Sequence, residues 1–220
     1  MYTSASVSAT RRPPTRRTQE ERSAATREAL MEATIECLVD YGYAGTTTTR
    51  VAQRAGLSRG AQMHHFQRKA PLVVAALLHL AERRRRELLE RAEQELRSGE
   101  DQMAAGIELL WSLFSGPLFT AAIELWIAAR TDAELREALL PAEREIGRGA
   151  RRTLRKLFLA TGGDEDAVRR VEIAIDMAAN AMRGMALQQL LAPSPERIEH
   201  QMDFLKDLFS RYLDIGRQPT

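Results

Sequence analysis

Apolar and polar positions along the 220-residue chain follow a helical period almost throughout. Thr26, Leu30, Ala33, Cys37, Leu38 and Tyr41 recur at spacings of three and four residues, which predicts one apolar face on a helix over 23–41. The run YGYAG ends it, as glycines do past a helix C-terminus. A short second helix begins at the threonines, with Thr47 or Thr48 capping and Val51, Ala52 and Ala55 facing inward. Gly56 follows directly, where a residue at ease with positive φ turns the chain. Ser58 then offers a capping oxygen to a third helix carrying Arg59, Gly60, Ala61, Gln62, Met63, His64 and His65. Two short helices joined by a glycine turn and packed on a longer one make a helix-turn-helix, whose last helix fits the DNA major groove.

The remainder reads as a helical body. Pro71 suits the first turn of a helix to about residue 97, and further helices fit 101–115, 117–130, 132–160 with a bend or break near Pro141, 164–191 and 195–215. Their breakers are SGE, SGP, TDAE as a capping box, TGGDED and APSPE. The run ERRRRELLERAEQE pairs Glu with Arg at helical neighbours and reads as a solvated face. No sustained alternation of β-branched and polar residues predicts a strand. In 164–191, small residues interleave with Met177, Met182 and Met185; in 195–215, Phe204 and Leu208 widen the face formed by Ile198, Met202, Leu205, Phe209 and Tyr212. Faces wider than one neighbour needs suggest burial both in the monomer and against a partner. Ala178, Met182, Met185, Phe204 and Leu208 are the candidates for that dimer interface; an ordinary intramonomer core explains the same pattern.

Composition adds direction. With 44% apolar and 28% charged residues the chain has the balance of a globular protein. Residues 1–69 hold eleven Arg or Lys against six Asp or Glu, net +5, and residues 70–220 hold twenty-one against twenty-four, net −3. A basic front end on a slightly acidic body points to an anionic polymer as partner. The single cysteine, Cys37, excludes an intramolecular disulfide and a thiolate zinc site within one chain, which suits a reducing cytoplasm. The N-terminal stretch has no apolar h-region, and the longest apolar run, 71–81, falls far short of the ~20 residues that span a bilayer. The expectation is a soluble cytoplasmic protein with no membrane partner.

His64 and His65 point ~100° apart on a regular helix and have no ligand-type neighbour at chelating spacing, so neither metal nor cofactor is expected. No nucleophile and orienting acid accompany them, so no enzymatic activity is expected either. Their setting favours DNA. Arginine donates two bonds to guanine, glutamine pairs both ways with adenine, and small apolar groups meet the thymine methyl, which nominates Arg59, Ala61, Gln62 and Met63 for base readout. Gly60 lets the backbone lie close to DNA. Thr47, Thr48, Arg50, His64, Lys69 and the N-terminus capped by Ser58 are placed for phosphates, and His65 packs with Phe66 against the first helix. Arg54 is equally a phosphate contact or a solvated surface charge. Arg11, Arg12, Arg16 and Arg17 form an arm that either enters the minor groove or stays disordered.

Trp111, Phe114, Phe119 and Trp126 concentrate in the central helices, and Asp176, Asn180 and Arg183 share a helical face near Met177. Trp111, Phe114, Trp126, Met177, Asn180 and Arg183 are therefore candidates for a ligand site in which a polar stripe orients a ligand in an apolar cavity. An internal salt bridge or an interface hydrogen bond is the alternative reading of that stripe.

The run GYAGTTTTRVAQRAGLSRGAQMHHFQRKAPLV resembles the DNA-binding region of the TetR family of transcriptional regulators: a glycine-aromatic lead, a threonine cap, the RAGLSRG turn, the HF end and a lysine three residues later. The match covers about residues 26–75. It implies an all-α protein with a three-helix helix-turn-helix domain over 23–70 behind a basic arm at 1–22, and a helical ligand-binding and dimerisation domain over 71–220. It also implies a homodimeric repressor that binds double-stranded operator DNA, meets its copy through a four-helix interface of the last two helices, and is released by a small-molecule inducer. The alternative is an architectural or protein-responsive DNA-binding protein with no inducer. Two departures bear on the operator sequence: Gln62 stands where many relatives carry leucine, and Met63 where many carry tyrosine.

Overall fold

The computed structural model describes residues 18–98, 102–158 and 164–214. Arg11, Arg12, Arg16 and Arg17 of the expected arm lie outside the described residues. Among the described residues every element is helical, in the order α1 (Gln19–Gly45), α2 (Thr48–Arg54), α3 (Arg59–His65), α4 (Lys69–Ser98), α5 (Gln102–Ser112), α6 (Pro117–Ala129), α7 (Ala133–Phe158), α8 (Glu165–Leu191) and α9 (Pro195–Asp214).

The helix ends follow from local chemistry. α1 starts four residues before the expected start at residue 23, because Thr18 and Glu21 close a capping box: Glu21 N donates to Thr18 Oγ1 at 3.1 Å and Thr18 N to Glu21 Oε2 at 2.8 Å. Gly42, at φ +64°, interrupts α1 one residue after Tyr41, and a last turn runs on to Gly45. Pro71 occupies the first turn of α4, where its missing N–H is no loss. The TDAE box is shifted by one residue, since Asp132 and not Thr131 caps α7, accepting from Leu135 N at 2.9 Å. Of the bend or break expected near Pro141, the break is absent: α7 runs through it as a single helix. Asp164 caps α8 by accepting from Ala167 N at 2.7 Å.

Two hydrophobic clusters hold the helices together. In the first, Leu30, Leu38, Val51 and Phe66 pack with Leu77 of α4 and Leu125 of α6, so side chains from both sides of residue 70 share one core. Cys37 belongs to it and is fully buried, which pushes its thiol pKa up. The second joins α5, α7, α8 and α9 through Ile107, Leu154, Ile175, Met182 and Phe209. At ~1.5–3 kcal/mol per buried large apolar side chain, these contacts outweigh any helix propensity of the individual segments. The second cluster corrects one expectation. Ala178, Met182 and Met185, proposed for a dimer contact, are 3%, 0% and 7% exposed and already buried inside the protomer. Phe204 and Leu208 are 64% and 44% exposed, and Ile173 and Met177 of α8 are exposed as well. No single described helix is long and apolar enough to cross a membrane.

Candidate nucleic-acid interface

α2 and α3 are built almost entirely by bonds between near neighbours. Thr47 Oγ1 accepts from Arg50 N at 3.1 Å, and Ser58 Oγ accepts from Ala61 N at 3.2 Å, so each short helix has its side-chain cap. Between them Gly56 adopts φ +66°, with open space where a Cβ would stand, so the position needs glycine for its backbone and not for room. Leu57 N then donates back to Ala52 O at 2.9 Å and locks the turn.

This turn leaves Ser58, Arg59, Gly60, Met63 and His64 exposed on α3, with Ala61 half-buried among them, and Thr47 and Arg50 exposed on the preceding segment beside a half-buried Thr48. A Cβ on Gly60 would meet nothing closer than Ser58 Oγ at 3.8 Å, so its bare backbone faces outward. Gln62 departs from expectation. Its side chain is 1% exposed and donates Nε2–H to the carbonyl of Phe66, so it closes the C-terminal turn of α3 and has no path to a base edge. Phe66 itself is buried beneath Arg27, whose guanidinium lies 5.3 Å from the ring centroid. His65 is half-buried beside it, and burial, with His64 and Arg27 nearby, pushes its pKa down.

The basic residues divide in the same way. Arg50 donates to Gly45 O and lies 4.5 Å from the Tyr41 ring centroid, so its surface position is braced. Arg54 pairs with Asp40 at 2.6 Å and Glu36 at 3.5 Å and donates to Tyr41 Oη at 3.1 Å, which makes it an internal tie. Lys69, expected on phosphate, is instead half-buried on Tyr43: Nζ lies 2.5 Å from Tyr43 O and 3.6 Å from its ring centroid, and desolvation lowers its pKa. Tyr43 is a junction that periodicity did not reveal. Its N–H donates to Glu124 Oε2 of α6 at 3.0 Å, and its hydroxyl donates to Asp132 Oδ2 at 3.0 Å. The Glu124 carboxylate also fills the space beside Gly42, 2.6 Å from where a Cβ would stand. Asp132, held by Leu135 N–H first and by the Tyr43 hydroxyl second, keeps its pKa below the usual carboxylate range.

α4 to α8, with Arg27 and Met31 of α1, line a half-open cavity of about 870 Å³. Phe114, Trp126, Asn180 and Arg183 line it. Trp111 and Met177 do not: Trp111 packs behind the wall with Phe119, Ile123 and Ala186, and Met177 is 59% exposed. The polar stripe is split, since Asp176 pairs with Arg151 at 2.9 Å while Arg183 donates to Asn180 Oδ1 at 2.8 Å. Glu143 also reaches the cavity, and burial raises its pKa against the opposing pull of the Trp126 indole and Arg183.

Residues 30–76 match the model of the bacterial regulatory proteins of the tetR family. The HTH-type transcriptional regulator CymR of Pseudomonas putida is 30% identical over 190 residues, covering 84% of this chain and 90% of its own. A transcriptional regulator from Rhodococcus sp. Rha1 superposes with a TM-score of 0.63 at 25% identity, over 84% of this chain and 96% of that one. The multidrug binding protein EbrR complexed with ethidium superposes with a TM-score of 0.59 at 24% identity, over 85% of this chain and 98% of that one.

Proposed function

This chain belongs to the TetR family and is a DNA-binding transcriptional regulator, and from that premise we propose that it is a homodimeric cytoplasmic repressor released from its operator by a small molecule in the α4–α8 cavity. The division into a DNA-binding unit at 23–70 and a sensing and pairing unit at 71–220 is part of this proposal. Arg59 reads a base edge, Ala61 and Met63 meet apolar groups in the groove, and Thr47, Thr48, Arg50, Ser58 and His64 sit along the phosphates around the backbone of Gly60. Two such faces bind together when α8 and α9 of one protomer pack on those of its copy through Phe204, Leu208 and the small residues Ala181 and Gly184. That pairing sets the half-sites about one DNA turn, ~34 Å, apart.

The observation that carries ligand release is continuity along α6. Trp126 lines the cavity, and two residues earlier Glu124 accepts the hydrogen bond from Tyr43 N–H at the α1–α2 junction. A ligand that moves α6 displaces Glu124 and with it the start of the helix-turn-helix. α4 lines the same cavity and begins at Lys69 on the same tyrosine, so both routes converge on Tyr43. EbrR, crystallised with ethidium, supports a ligand site in this fold. The cavity disfavours a regulator without an inducer, which would be expected to have a filled core. Selecting duplexes from a random pool should yield two related half-sites about one turn apart, and a compound library should contain ligands that release the protein from that duplex. A single unpaired half-site would overturn the dimeric reading.

A further inference from the structure

Resting on the reading of the cavity as the sensor site, we propose that its ligand is an apolar monocarboxylic acid whose carboxylate is held by Arg183 and Asn180. Around the cavity Arg85 is paired with Glu82 at 2.7 Å and Arg151 with Asp176 at 2.9 Å, while Arg27 and Arg152, which also line it, are exposed to solvent. Arg183 differs. No carboxylate pairs with it among the described residues, and its Nε is buried without a hydrogen-bond partner. Its guanidinium lies 5.7 Å from the Phe114 ring centroid and 5.2 Å from that of Trp126, rings that hold its orientation while supplying no acceptor in the guanidinium plane. Asn180 Oδ1 accepts from Arg183 Nη1, which leaves the Asn180 amide N–H groups as further donors at the same place.

The cavity therefore offers converging donors around a half-buried guanidinium that bonds no carboxylate among the described residues, within mostly apolar walls such as Leu78, Leu113, Phe119 and Ile146. A planar carboxylate fits the guanidinium fork with two parallel bonds and cancels its charge. Glu143 is the competing anchor for a cation. Burial pushes its pKa up and so disfavours its charged form, which opposes that alternative. The volume, about 870 Å³, suits a drug-sized body.

Calorimetry on the full chain with pyrenebutyrate, its primary amide and ethidium tests the assignment. The acid should bind at least tenfold more tightly than the amide. Arg183→Gln should remove that preference by weakening the acid while leaving the amide within about threefold, and amide binding reports that the variant is folded. Asn180→Asp, which sets a carboxylate against the guanidinium from a surface position, should do the same by an independent route. Equal affinity for acid and amide, tighter binding of ethidium than of the acid, or a preference for the acid that survives both substitutions would each overturn the proposal. Failure of the functional reading looks different: there the acid binds through Arg183 and operator affinity does not change.

Discussion

In the α2–α3 turn, Thr47, Ser58 and Gln62 each bond a backbone group within four residues, whereas in the cavity Arg183 keeps a buried Nε without a partner and Glu143 sits where burial opposes its charge. The reading face is thus complete before DNA arrives. Its backbone is held by these bonds, so little backbone ordering remains to oppose binding. The cavity is incomplete by the same measure, since an unpartnered buried donor costs ~1–3 kcal/mol that a suitable ligand recovers. Between them lies Tyr43, whose three polar groups are all engaged, by Glu124, Lys69 and Asp132. A region finished in isolation and a region awaiting a partner are therefore joined by a fully satisfied link, which suits a protein that converts occupancy at one into geometry at the other.

The largest effect should come from breaking the link. Gly42→Val places a branched Cβ at φ +64° and 2.6 Å from Glu124 Oε2, and should cost ~3 kcal/mol or more in urea denaturation. Gly56→Ala shares the positive φ but meets open space, so ~1–2 kcal/mol is expected. Equal losses would mean that packing at Gly42 carries no special weight. Next in size, Leu208→Glu should give a helical monomer by sedimentation, with operator affinity lower by about 100-fold through loss of bivalent binding. An unchanged dimer would place the contact elsewhere.

A smaller and more selective effect separates the two polar residues of α3. Arg59→Ala should lose ~1–3 kcal/mol on the selected operator and far less on random DNA, measured by anisotropy. Gln62→Leu should keep sequence preference, because the buried amide contacts α3 itself. Loss of preference in that variant would restore Gln62 to the reading face. Smallest is Tyr43→Phe, which removes one donor to Asp132. The folded pKa of Asp132 lies below its ordinary value, so the stabilisation is fully present above pH ~4 and lost as pH falls through the folded pKa. The difference between wild type and variant should accordingly narrow on acidification, and a difference that widens would contradict the bond.

These two regions also differ in how far the sequence discloses them. Threonine, glycine and serine punctuate α2 and α3 because caps and turns act over three or four residues, and those elements are readable from the chain alone. The Thr18 capping box was equally readable, as threonine followed three residues later by Glu21. Gln62 was misread because glutamine on a recognition helix suggests adenine, although the leucine of many relatives at this position already marks it as apolar and inward. Nothing local signals Tyr43, whose partners Glu124 and Asp132 lie 81 and 89 residues away. The same holds for Glu143, brought to Arg183 by the packing of α7 on α8, and for Met182, whose inward orientation depends on which neighbours the helix meets. Periodicity finds an apolar face and is silent about whether the same chain or a second copy covers it.

The central claim, that occupancy of the cavity and grip on DNA weaken one another, is tested most directly by reciprocal linkage. Operator affinity is measured with and without saturating pyrenebutyrate, and pyrenebutyrate affinity with and without saturating operator. The account predicts that each ligand weakens the other by the same factor, about 5- to 150-fold, and that Glu124→Gln shrinks both factors together. Operator affinity unchanged by a bound acid would contradict it.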